Sequence, residues 1–318
     1  MPLLRSAFIA LSHNRPLRRF CEHSRLGARL NSRFIAGMTP DDALRVAESL
    51  NRQGIAVTLD SLGESVTSET EARRAADVYH KLLDSIAARG LNANISVKLT
   101  QMGLTQMGPT QMGLDQSAQL AESTAGNLAE HARAAGNFLR IDMEDSRLTG
   151  ITLGIVRRIH ARAATRGAGG VVIQACLYRS QADVEQLLAD GIRIRLCKGA
   201  YKEPPEVAYP RKADVDQSFL KLSQKLLLSP IYHGLATHDE AIIEATKAYA
   251  ASRGIGREHF EFQMLYGVRR DLQRNLVRDG YKVRVYVPFG TEWYPYFMRR
   301  LAERPANVLF LARNFFRA

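Results

Sequence analysis

The sequence has only three cysteines in 318 residues, Cys21, Cys176 and Cys197, and none falls in a C-x-x-C pair. An odd, scattered set argues against a disulfide framework or a cysteine zinc site and suits a reducing cytoplasm. Apolar runs are short too, and none approaches the roughly 18 residues of a membrane span. The stretch MPLLRSAFIALSHNRPLRRF is apolar only from Ala7 to Leu11 and lacks an A-x-A cleavage pattern, so it does not read as a signal peptide. Its basic, amphipathic character suits a helix capping the fold, or one resting peripherally on the inner face of an anionic membrane. Several signatures of catalysis are missing as well. There is no P-loop, no G-x-S-x-G, and no G-x-G-x-x-G after the first strand-like segment; GAGG at 167–170 has the wrong spacing and precedes a strand-like run. That first segment, VTLDSLG, carries no H-x-H, and His238–Asp239 is an isolated candidate ligand pair, so no metal is expected.

What is present in excess is positive charge. Lys and Arg number 44 against 32 Asp and Glu, a net charge of +12 that raises the question of nucleic acid. The basic residues are dispersed, no block exceeds a pair, and no helix-turn-helix, RNP or zinc-finger pattern occurs, so no nucleic-acid partner is expected. A basic surface that favours anionic substrates or lipids accounts for the charge equally well.

Eight short β-branched or apolar runs recur: IAVTLDSLG, NISVKLTQ, FLRIDMED, VVIQACLY, RIRLCKGA, GLATHD, FEFQMLYG and KVRVYVPFG. Helix-like stretches separate most of them, and strand then helix eight times over predicts an α/β fold, a (β/α)8 TIM-type barrel. The division expected is an N-terminal helical segment over 1–50 and a catalytic barrel over 51–318. In a barrel the C-terminal strand ends build the site. Those ends carry Lys98, Asp142 with Glu144 and Asp145, Gln174, Arg195 with Lys198, His238 with Asp239, Tyr266 and Tyr286. An inward Lys or Arg needs a partner. The plain alternative to a ligand is an ion-pair network with Asp142 that closes the barrel end. A Schiff-base role for Lys98 or Lys198 is disfavoured, because Arg195 and the carboxylates would hold either lysine charged. The remaining picture is a pocket of cations and tyrosines suited to a polyanionic cofactor and a small carboxylate substrate.

Two segments stand apart. TQMGLTQMGPTQMGLD, from Thr100, holds TQMG three times and reads as a local expansion of the loop after the second strand. WYPYFMRR, from Trp293, puts Tyr296, Arg299, Arg300 and Glu303 on one face if helical. That face is either a solvated surface or a pocket wall where two guanidiniums meet an anion.

The motifs LDSLGE, SVKLTQMG, RIDMEDS, RLCKGAYKEP, ATHD, FEFQMLYGVR, VRVYVPFG and WYPYFMRRLAERPAN, in this order from about Asp60 to Phe310, resemble those of proline dehydrogenase in its short bacterial single-activity form. The resemblance implies a distorted (β/α)8 barrel that binds FAD without a Rossmann domain. It also implies oxidation of L-proline to Δ1-pyrroline-5-carboxylate, with hydride passing to the flavin N5 and electrons to a quinone. Related alternatives are a dehydrogenase of hydroxyproline or another cyclic imino acid. From a different class, the rival is a non-catalytic basic barrel that binds nucleic acid or a membrane surface.

By the same resemblance, Arg299 and Arg300 hold the substrate carboxylate with Lys98 as a third cation. Tyr286, Tyr296, Leu265 and Tyr201 pack around the proline ring. Asp142 orients its neighbours, and Arg195 hydrogen-bonds the flavin N5. Gln174, Lys198, Gly199, Ala200, Thr237, His238 and Glu303 match flavin-contacting positions, and Glu64 pairs with Arg299 as a gate. Two departures are visible: Cys197 stands where the family more often has valine, and the TQMG expansion follows Lys98 directly.

Overall fold

The computed structural model describes residues 33–63, 66–105, 111–294, 296 and 298. Its eight strands are parallel and close into a barrel in the order β1 to β8, as the alternating pattern predicts. They are β1 (Ala56–Ser61), β2 (Ala93–Val97), β3 (Leu139–Ile141), β4 (Gly169–Gln174), β5 (Arg193–Cys197), β6 (His233–Ala236), β7 (Phe260–Leu265) and β8 (Lys282–Phe289). Six register pairs, from Ala56↔Arg284 to Ser61↔Phe289, join β1 to β8 and complete the circle.

Among the described residues, eight helices accompany the strands. Before β1 comes α1 (Pro40–Asn51), and after successive strands come α2 (Glu69–Ala88), α3 (Gln111–Ala134), α4 (Ser146–Ala161), α5 (Ser180–Ala189), α6 (Lys212–Leu227), α7 (Glu240–Ser252) and α8 (Arg270–Arg278). Their starts follow local chemistry. Thr39 and Asp42 exchange a reciprocal capping box at α1, with Pro40 at the first helical position. Asp145 caps α4 by accepting from the Arg147 N–H. The buried side of α1, Ala43, Leu44, Ala47 and Leu50, packs against β1 and β8. Residues 1–32, on which the capping or membrane-surface helix was expected, lie outside the described residues.

Period-two alternation has a particular meaning in this barrel. One set of strand residues, including Val57, Leu59, Ile95, Val97, Ile194, Leu196, Val283 and Val285, belongs to the apolar core shared with the surrounding helices. Each such side chain contributes about 1.5–3 kcal/mol when fully buried. The alternate set faces the lumen and is polar: Thr58, Ser96, Arg140, Arg195, Glu261 and Gln263 are all buried. Most of their polar atoms pair with one another or with the backbone, while Arg140 Nε has no hydrogen-bond partner among the described residues. Arg140 Nη1, for example, donates to the carbonyls of Val171 and Arg193.

The TQMG expansion begins between β2 and α3, and its first copy is packed: Leu99–Gln101 form a 3-10 turn, and Thr100, Gln101 and Met102 are buried, as is Leu104 just after it. Thr100 donates through N–H and Oγ1 to the two Glu144 oxygens, at 3.1 and 2.7 Å. Gln101 Nε2 donates to Ser61 O. The first copy thus ties the ends of β1, β2 and β3 together, and the third supplies the opening residues of α3.

Candidate active site

At the C-terminal strand ends, a cavity of about 750 Å³ opens between the barrel and the β5–α6 loop. Its floor is an ion-paired cluster. Arg195 reaches from β5 across the lumen and donates through Nη1 to Asp142 Oδ1 at 2.9 Å. Asp142 also accepts from Ser96 Oγ at 2.6 Å and from the Tyr286 hydroxyl at 2.8 Å. The Arg195 guanidinium lies over the Tyr286 ring, 5.2 Å from its centroid. Burial, then the charges of Asp142 and Asp60, push the Tyr286 phenol well above its ordinary range. It therefore stays neutral and donates its proton to Asp142.

Lys98, immediately after β2, faces Asp60 at 3.4 Å. Asp60 is fully buried, and burial raises its carboxyl above the usual range; Lys98 opposes that shift and Asp142 adds to it. The ion-pair network expected around Asp142 is therefore divided: Asp142 pairs with Arg195, and Lys98 has its own acid. Asp60 escaped the sequence reading although LDSLGE was singled out. The available signal was its position two residues after Thr58, on the lumen side of an otherwise apolar strand.

The wall beyond the floor comes from the β5 and β6 ends. Lys198 forms an ion pair with Asp216 of α6 at 2.5 Å and donates to Asp239 at 2.8 Å, so the ammonium ties two elements together. Gly199 follows with φ +112, and a Cβ there would lie 2.4 Å from Cys176 Sγ. Only glycine fits, which leaves bare backbone on the cavity wall. Ala200, Thr237 and His238 line the same side, with Tyr201 half-exposed at the rim. His238 Nε2 accepts from the Leu265 N–H at 2.9 Å, so that nitrogen is committed to the backbone. Among the described residues no group of three or more metal-ligating side chains occurs.

Leu265, Tyr286 and Tyr296 complete the apolar side. Tyr296 packs in a small cluster with Phe34, Ile35, Leu62 and Trp293. Gln174 sits one layer behind the wall: its Nε2 donates to Glu144 O at 2.8 Å, and its Oε1 would lie 3.3 Å from a Cβ on Gly199. Cys197 reaches the cavity, but burial pushes its thiol up to about 12, which makes it a poor nucleophile. Glu64, Arg299, Arg300 and Glu303 lie outside the described residues.

With this geometry in place, the comparisons with known proteins decide the family. A sequence model described as Proline dehydrogenase matches residues 43–313. The chain belongs to the proline dehydrogenase family. It is accordingly an oxidoreductase of the proline dehydrogenase kind. It is 41% identical over 314 residues to Proline dehydrogenase 1 of Bacillus subtilis (strain 168), covering 98% of this chain and 99% of that one. It is also 41% identical over 287 residues to Proline dehydrogenase of Deinococcus radiodurans, covering 90% and 89% of the two chains. Among solved structures, proline utilization A (PutA) from Bdellovibrio bacteriovorus inactivated by N-propargylglycine superposes with a TM-score of 0.80 at 27% identity. That match covers 86% of this chain but only 32% of the PutA chain, so this protein spans about a third of that relative.

Proposed function

We propose that this chain oxidises L-proline to Δ1-pyrroline-5-carboxylate with FAD as cofactor and passes the electrons to a quinone, the first step of proline breakdown. On this reading residues 1–50 are a helical segment leading into a catalytic barrel over 51–318. The observation that carries it is the Arg195–Asp142–Tyr286 cluster on the floor of a cavity large enough for a cofactor and a small acid.

The chemistry of the wall fits FAD. Arg195 and Lys198 supply cationic donors, Thr237 a hydroxyl, and Gly199 a backbone approach that any Cβ would block. Gln174, Arg195, Lys198, Gly199, Ala200, Thr237, His238 and Glu303 would hold the cofactor, with Arg195 directed at the flavin N5. When bound, FAD supplies the acceptor for the hydride that leaves the ring carbon next to nitrogen.

The remaining work falls to side chains. Arg299, Arg300 and Lys98 receive the substrate carboxylate and fix its orientation. Tyr286, Tyr296, Leu265 and Tyr201 surround the ring and exclude water. Glu64 gates entry by pairing with Arg299. Asp142 keeps Arg195 and Tyr286 in place while the lone pair of the deprotonated substrate amine forms the C=N bond as the hydride leaves.

The test is the visible absorption spectrum of purified protein, followed by anaerobic L-proline. A flavin band that bleaches on addition agrees with the proposal. Bleaching by hydroxyproline alone would replace the substrate, and a colourless protein that takes up no FAD would overturn the cofactor.

A further inference from the structure

Arg195 is held by a chain of side chains that starts at Gln263 in the cavity lining and continues into residues that do not line it. Its Nε donates to Gln263 Oε1 at 2.5 Å. Gln263 Nε2 donates in turn to Glu261 Oε1, also at 2.5 Å. Glu261 then accepts from Arg284 Nε at 2.8 Å and from the Tyr232 hydroxyl at 3.1 Å. Arg284 is anchored by its own Nη1 donating to the Val57 carbonyl at 2.7 Å.

The orientation of the Gln263 amide is dictated by chemistry. A guanidinium Nε can only donate and an ionised carboxylate can only accept, so the amide oxygen must face Arg195 and the amide nitrogen Glu261. Burial disfavours ionised Glu261, but Arg284 and the hydrogen bonds it receives outweigh burial and keep its carboxyl below the usual range. Leucine cannot convert an acceptor below into an acceptor above, and neither can an ionised glutamate. The lumen also makes room for this amide: a Cβ on Gly234 of β6 would lie 2.2 Å from Gln263 Nε2.

We infer that Gln263 and Glu261 are positioning residues that fix the rotation of the Arg195 guanidinium, with Arg284 and Tyr232 as their anchor. The inference rests on the reading above that Arg195 serves the reaction. Neither residue need touch the substrate. The aim of the Arg195 nitrogens is set from the closed end of the barrel, and a misplacement of about 1 Å at a reacting centre can cost a hundredfold in rate.

The experiment compares Gln263→Leu, Gln263→Glu and Gly234→Ala with the parent enzyme. Gln263→Leu should lower kcat by about tenfold or more, with KM for proline and flavin content held within about twofold. Gly234→Ala, whose added Cβ would meet the Gln263 amide first, should reproduce that pattern. Gln263→Glu can present a protonated carboxyl that copies the amide, donating to Glu261 and accepting from Arg195. At acidic pH it should therefore retain more of the parental kcat than Gln263→Leu does.

A second readout needs neither flavin nor proline. The Arg195 Nε–H resonance, identified by its loss in Arg195→Lys, should shift and exchange faster with water in Gln263→Leu and Gly234→Ala. Parental kcat together with an unmoved resonance in both variants overturns the inference. So does Gln263→Glu performing no better than Gln263→Leu at any pH. Parent protein that fails to react with proline while the resonance responds as expected would count against the activity proposed above, not against the positioning role.

Discussion

Arg195 and Asp142 meet across the barrel lumen at 2.9 Å, with side chains only 7% and 12% exposed. Because both charges are buried, removing one strands the other. Asp142→Asn keeps the shape but offers a single acceptor to Arg195, Ser96 and Tyr286 together. It should cost about 3–5 kcal/mol of stability, read from denaturant unfolding. Tyr286→Phe removes one hydrogen bond to a charged group and should cost about 1.5–3 kcal/mol. In the Asp142→Asn background the same change should cost clearly less, because the two residues share one network. Additive losses would count against the coupling.

His233 gives the fold an acid-labile point. Burial, with the charges of Arg140 and Arg193, depresses its imidazole to about 3, while Nδ1 accepts from the Ile194 N–H at 3.0 Å. The folded chain therefore resists a proton that the unfolded chain takes up at ordinary histidine values. Stability from this group is complete above about pH 6.5 and falls as pH drops towards 3, at about 1.4 kcal/mol per unit. His233→Asn keeps an acceptor for Ile194 and does not titrate. Melting curves of parent and variant should converge near neutrality and separate below it, with the parent losing more; parallel curves would contradict the assignment.

Gly199 should resist every substitution. Its φ of +112 strains any L side chain, and the added Cβ would collide with Cys176 Sγ. Backbone strain of this kind costs about 1–3 kcal/mol. Gly199→Ala should lower the flavin-to-protein absorbance ratio more than it lowers the melting temperature. Adding Cys176→Ala should recover only part of that loss, because the clash goes and the strain remains.

Turnover should rise towards alkaline pH. Among the described residues, Asp142 accepts from three donors, Asp60 faces Lys98, and the Tyr286 phenol stays neutral. These groups are engaged, so the substrate must arrive with its amine already deprotonated. A kcat/KM for proline that is flat between about pH 6 and 9 would show that a protein base does this work instead.

The barrel was legible because all eight strands carry apolar residues at period two, and the helices cover that apolar face. The strand-end residues Lys98, Asp142, Arg195 and Tyr286 were legible for the same reason, each breaking an apolar run near the mouth. Gln263, Glu261 and Arg284 were not. They lie mid-strand, where polar alternation resembles exposure to water, and only closure of the sheet turns that face into a sealed lumen. Asp60 was hidden in the same way. Gln174 was legible from its place at the end of β4, but the bond that fixes it, Nε2 donating to the Glu144 carbonyl, was not. Glycine told little in advance, since Gly234 reveals its purpose only beside the Gln263 amide.

The packed first TQMG copy makes the repeat a five-residue cassette with unequal members. Leu99, Leu104 and Pro109 each lead one unit, so excising residues 104–108 or 109–113 shortens the chain equally and restores the same T-Q-M-G-L run before Asp115. Leu104, however, is fully buried and its N–H donates to the Leu99 carbonyl at 2.9 Å. Excising 109–113 returns a leucine to that seat. Excising 104–108 delivers a proline, which has no N–H to give and a smaller side chain to bury. Two deletions of identical length should thus part company, the first near-silent and the second destabilising by about 1 kcal/mol or more in denaturant melts. Copy number in this chain is negotiable, but the identity of the second cassette's leading residue is not.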